Sequence, residues 1–129
     1  MLSKSYSSKW KKLYTVALAL SDKFRLACVR DYLVFNLSPS SIARIYKMKT
    51  YEVKRKIQNT KDLVDIELLR DLDVFNKLYD LPLVFNDNNG SRCTCGLCGK
   101  RIDSQGRIAH LLNSHIEYIT KMLEEVSKR

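Results

Sequence analysis

The chain has 129 residues, 45% of them apolar, and a formal net charge of +9. That length holds one compact domain, or one small domain beside a metal-stapled module. No apolar run approaches the roughly eighteen residues of a membrane span, and MLSKSYSSKWKK lacks the apolar core and cleavage site of a secretory signal, so we expect a cytoplasmic protein in which structural disulfides are disfavoured.

Charge is unevenly spread. Residues 1–61 carry 14 Lys and Arg against 3 Asp and Glu, residues 62–91 carry 2 against 7, and residues 92–129 carry 7 against 4. Residues 1–8 are polar and read as a mobile start in which Lys4 can reach a phosphate. Trp10, Leu13, Tyr14, Ala17 and Leu18 recur at helical spacing, which predicts a helix over 8–20 with Trp10 as a core anchor rather than a base-stacking group. Ser21 or Asp22 caps a second helix, Lys23 to Phe35. Its apolar positions (Phe24, Leu26, Ala27, Cys28, Val29, Tyr32, Leu33, Phe35) are dense enough for a central helix packed on several sides. Cys28 reads there as a small buried hydrophobe.

Ser38 is a good N-cap, and Pro39 fits the first helical position because its missing N–H is not needed there. Ile42, Ala43 and Tyr46 then form one apolar face. Lys47-Met48-Lys49 interrupts the period, Thr50 is a second N-cap candidate, and Tyr51 to Gln58 resumes it with Val53 and Ile57 inward. Lys54, Arg55, Lys56 and Gln58 stand between those inward positions. IARIYKMKTYEVKRKI resembles the helix-turn-helix core of homeodomain-like and transposase-type regulators. The match runs through Ala43 at the closest helix approach, Met48 as the apolar turn residue and Val53 as the anchor of the second helix. Lys47 stands where the usual turn Gly would be, and Lys56 where an apolar residue is common. The resemblance implies double-stranded DNA as partner, with the second helix in the major groove. Lys49, Thr50, Tyr51, Lys54, Arg55 and Gln58 are then the contact residues: Arg55 and Gln58 toward base edges, Lys49, Lys54 and Thr50 toward phosphates.

Residues 60–80 read as one long acidic helix capped by Thr60, with Val64, Leu68, Leu72, Phe75 and Tyr79 along its apolar face. That face covers its own chain or pairs with a second copy. Pro82 ends it. Leu81, Leu83, Val84 and Phe85 are a short apolar run suited to a strand, and Asn86-Asp87-Asn88-Asn89-Gly90 is the strongest turn signal in the chain.

Cys95 and Cys98 are followed after eleven residues by His110, and after four more by His115. Two thiolates on a tight knuckle and two imidazoles from a helix are the donor set Zn²⁺ prefers, and the chain has no other histidine. The pattern looks like a C2H2-type zinc finger, with Cys98-Gly99-Lys100-Arg101-Ile102 as its characteristic run. The Cys-to-His gap is one residue short, and Cys93 is an alternative to Cys95 as ligand. The resemblance places base contacts at Asp103, Gln105, Gly106 and Ala109. None is cationic, so the module reads as a folding staple or protein contact, with phosphates in reach of Lys100, Arg101 and Arg107. Ile116, Ile119, Leu123 and Val126 extend the last helix into a tail that docks on the N-terminal unit or pairs with a second copy.

The expected fold is mainly α: a helical helix-turn-helix domain over 1–59, a long acidic linking or dimerisation helix over 60–80, and a small ββα-like zinc finger with an extended C-terminal helix over 81–129. The expected function is sequence-specific DNA binding by a small transcription regulator holding one Zn²⁺, with a homodimer formed through 60–80 or 116–126. The alternative is a zinc-stabilised protein-interaction adaptor. No carboxylate pair, nucleophile–base arrangement or phosphate loop suggests an enzyme. Abundant Lys, Ile and Tyr with few Gly suit a protein of an archaeal virus or microbe, which would act in the host cytoplasm or nucleoid.

Overall fold

The computed structural model describes residues 4–81 and 84–128, with the backbone alone for 4–8 and 87–89. It is mainly helical, with one small antiparallel sheet. The first helix, α1 (Lys4–Ser21), starts before the predicted Ser8, so the segment expected to be mobile is helical from Lys4 on. Thr15 through Leu20 are all buried. A run of buried residues longer than one turn leaves that part of a helix no solvent face, and α1 accordingly packs with the later helices Lys23–Leu33, Leu72–Asp80, Arg107–Ser114 and Ile116–Ser127.

Asp22 caps α2 (Lys23–Leu33) by accepting from the Arg25 N–H at 3.1 Å. Ser38 caps α3 (Pro39–Tyr46), accepting from the Ser41 N–H at 3.2 Å. Lys47 closes α3 in the left-handed region (φ 55°, ψ 46°), so the chain makes the tight turn without glycine. The next helix is α4 (Thr50–Thr60). Its N-cap is Lys49, with no side-chain cap bond; Thr50, expected as the cap, is already the first helical residue. Cys28, Ile42, Ala43, Val53 and Ile57 form a small core that seats α3 and α4 on α2.

Residues 60–80 are a correction to the sequence reading. Thr60 ends α4 instead of capping a helix, and the segment holds two short helices, α5 (Ile66–Arg70) and α6 (Leu72–Asp80). The cause is two aspartates. Asp65 accepts from the Leu68 N–H at 3.2 Å, and Asp71 accepts from the Asp73 and Val74 N–H groups at 3.1 and 3.2 Å. Each Asp thus starts a new helix where the apolar period alone suggested continuity. The Asp65 N–H itself donates to Thr15 Oγ1 at 2.9 Å, which pins this break against α1.

The sheet order is β1 (Phe85–Asn89), β2 (Arg92–Cys95), β3 (Arg101–Asp103), with Phe85 opposite Cys95 and Cys93 opposite Ile102. The Asn-rich run expected as a turn is therefore strand, and the chain reverses at Gly90 and Ser91. Pro82 and Leu83 lie outside the described residues. A 3₁₀ turn, Ser104–Gly106, leads into α7 (Arg107–Ser114) and then α8 (Ile116–Ser127), so the extended last helix is divided at His115. Leu111 of α7 and Ile119, Met122, Leu123 and Val126 of α8 share one core with Leu13, Val16, Phe75, Cys93 and Cys95. The C-terminal tail thus packs its apolar face on α1 and α6. Among the described residues no helix is long and apolar enough to cross a membrane.

Candidate metal centre and cationic helix

Cys95 ends β2, and a tight turn carries Cys98 back beneath it. The Gly99 N–H donates to the Cys95 carbonyl at 2.7 Å, and the Cys95 N–H donates to the Lys100 carbonyl at 2.9 Å. Two glycines permit this path. Gly99 has φ +75°, a region L side chains avoid, and Gly96 donates its N–H to the Val84 carbonyl so closely that a Cβ would sit 2.7 Å from that oxygen.

His110 lies in α7, while His115 sits at the break before α8 with φ −133° and ψ 39°. In an unbroken helix these two residues would point about 140° apart, given 3.6 residues per turn. The break at His115 swings the second imidazole back, and the ring centroids lie 4.9 Å apart. The His115 N–H still donates to the Leu111 carbonyl at 2.9 Å, and its carbonyl accepts from the Ile119 N–H at 3.2 Å.

These elements bring Cys95, Cys98, His110 and His115 together, with one ligand atom from each within 4.8 Å of the others. Cys98 Sγ lies 3.5 Å from His110 Nε2, and Cys95 Sγ lies 3.6 Å from His115 Nε2. A tetrahedral ion with bonds of ~2.3 Å to sulfur and ~2.05 Å to nitrogen sets that edge at about 3.6 Å. The donor chemistry and two edges of the cage therefore fit one metal ion. Burial, reinforced by His115 and Lys100, lowers the His110 pKa, which favours the neutral imidazole a metal requires. Cys95 is buried and Cys98 exposed. Cys93 is buried on the same strand, facing the core across from Ile102, and is not one of the four. The geometry thus selects Cys95 over Cys93. Among the four positions expected to face bases, Asp103, Gln105 and Ala109 are exposed and Gly106 is half-buried, as is Arg107; Lys100 and Arg101 are exposed.

The other candidate surface is α4. Val53, Ile57 and Thr60 face inward, while Lys49, Thr50, Tyr51, Lys54, Arg55 and Gln58 are all exposed. The Tyr51 ring, 57% exposed, has Lys49 Nζ and the Arg55 guanidinium each 5.9 Å from its centroid. Lys56 does not join this face: its Nζ pairs with Asp22 at 2.8 Å and clamps α4 to the start of α2. That explains why a lysine stands at an often apolar site.

Sequence reasoning missed a second tie. Asp31 is buried and accepts from Arg30 Nη2 at 2.8 Å and from the Tyr46 hydroxyl at 2.7 Å. Arg30 in turn lies over the Phe75 ring at 4.2 Å. One buried carboxylate thus holds the end of α3 to α2 and, through Arg30, to α6. Its only sequence signal is an acidic residue inside a densely apolar helix.

Comparison of the chain with protein-family models, with curated proteins and with solved structures gives no match.

Proposed function

We propose that this protein is a zinc-stabilised, sequence-specific binder of double-stranded DNA that acts as a small transcription regulator. On this reading α3 and α4 are the two helices of a helix-turn-helix unit, and the sheet with α7 is a ββα-like C2H2 module. The observation that carries the reading is the outward face of α4. Lys49, Thr50, Tyr51, Lys54, Arg55 and Gln58 are exposed on a helix whose opposite side is fixed by Val53 and Ile57. A helix offered this way suits a major groove, with Arg55 and Gln58 toward base edges and Lys49, Lys54 and Thr50 toward phosphates. The left-handed Lys47 and the seat of Ala43 against α4 support the same reading.

Cys95, Cys98, His110 and His115 would hold the zinc. Four protein ligands fill a tetrahedral ion and leave no position for water, which suits a structural role rather than a hydrolytic one. In that role the metal supplies folding free energy to a module with little core of its own. Duplex binding measured across salt concentrations tests the reading. Binding should fall steeply with added salt, and Lys54→Ala should reduce the slope of log K against log salt by about 1. Salt-independent binding contradicts it.

One observation favours a second, adaptor-type contact on the same molecule. Leu63 before α5, Ile66 at its start and Leu72 at the start of α6 remain exposed, and a homodimer would bury them.

A further inference from the structure

Trp10, expected in the core, is 43% exposed. Tyr14, one turn further on, packs against the core, and Leu13 is the first buried residue described in α1. Lys9, Trp10 and Lys11 are all exposed beyond it. On a helix Lys9 and Lys11 lie about 100° to either side of Trp10, so two cations flank the indole. Lys12 is half-buried and points nearly the opposite way. The first acidic residue of the chain is Asp22. Among the described residues neither Lys9 nor Lys11 forms an ion pair, whereas Lys56 is neutralised by Asp22.

We infer that the exposed stretch 9–11 of α1 forms a second nucleic-acid contact, separate from α4, that takes a single strand: phosphates on Lys9 and Lys11, and an unpaired base on the face of Trp10. Charge complementarity and an exposed aromatic coincide on this stretch. Cations with no ion pair among the described residues favour a polyanion through counterion release, and an indole between them offers a stacking platform that any base can use. A paired base within a duplex has no free face for the ring. The inference goes beyond the duplex reading of α4 and does not depend on it.

Trp10 is the chain's single tryptophan, so its own emission reports the contact. Titration of the full-length, zinc-loaded protein with oligothymidylate should quench that emission. Lys9→Ala/Lys11→Ala should lower the salt slope for a labelled oligothymidylate by about 1.4, since each phosphate neutralised on a single strand contributes about 0.7. Trp10→Ala should weaken binding roughly tenfold, and Trp10→Phe should restore most of it. Arg55→Ala should leave the quenching unchanged, which separates this site from α4. All four substituted positions are exposed, and circular dichroism checks that the variants fold. Absence of quenching, quenching abolished by Arg55→Ala, or an emission shift on anionic phospholipid vesicles with none on oligothymidylate would overturn the inference.

Discussion

Lys47 holds a left-handed conformation in which a Cβ crowds the following carbonyl, at a cost of roughly 1 kcal/mol or more. Lys47→Gly should therefore stabilise the protein by about 0.5–1 kcal/mol, the gain being reduced by the greater freedom of glycine in the unfolded chain. A rise in the thermal midpoint checks this, and a fall would show that the lysine side chain contributes more than its backbone costs. Burial raises the pKa of several groups that titrate in alkali, among them buried Cys28 and half-buried Tyr46 and Tyr79. Burial pushes the Cys28 thiol from 9.0 up to about 11, and burial together with the Asp31 hydrogen bond pushes the Tyr46 hydroxyl from 10.0 up to about 12. The folded state holds both protons more tightly than the unfolded state. Their contribution is therefore complete below the unfolded values and is lost as pH rises through the folded ones. Thermal midpoints should fall between about pH 9 and 12, and Cys28→Ala should flatten the lower half of that decline. At this scale the convergence of Cys95, Cys98, His110 and His115 was legible, because donor type and spacing are written in the chain. Trp10 was not: helical period says which side of α1 is apolar, but not where the neighbouring helices end.

The helices that the apolar period marked as α2, α3 and α4 formed close to where it placed them, with Asp22 and Ser38 as N-caps and Pro39 at the first helical position. The period misled over 60–80 because Leu68, Leu72 and Phe75 keep helical spacing across a real break. Asp65 and Asp71 looked like residues of an acidic face, while their carboxylates in fact compete for the backbone. Asp71→Ala should cost about 1 kcal/mol, measured by denaturant unfolding; no loss would mean the break is imposed by packing alone. The strand at Phe85–Asn89 was hidden for the opposite reason. Asn and Asp favour turns locally, and ladder bonds to β2 outweigh that preference here. Within the metal knuckle, Gly96→Ala forces a Cβ against a backbone oxygen. Metal affinity should drop about tenfold, equivalent to ~1.4 kcal/mol, in a chelator competition. Unchanged affinity would show that the backbone at Val84 yields freely.

At the scale of the molecule, the charge blocks and motifs suggested units laid end to end, but α1 packs with α2, α6, α7 and α8. Cys95 and Leu111 share one core with Val16 and Phe75. Such sharing depends on contacts between residues as distant in sequence as Val16 and Leu111, which no local pattern encodes. Metal loss should therefore be felt beyond the knuckle. Cys98→Ser changes an exposed candidate ligand with little change in volume, so it isolates the metal. Bound metal should fall well below one per chain, and the whole protein should melt earlier in a single transition. Two separate transitions would contradict a shared core.

The most direct test of the regulator reading is selection of bound duplexes from a random pool by the zinc-loaded protein, run beside Arg55→Ala. The wild type should enrich one defined site, and Arg55→Ala should relax the preference at one position of it, by about 1–3 kcal/mol. A pool that stays random, or an enriched site that Arg55→Ala reads unchanged, would contradict it.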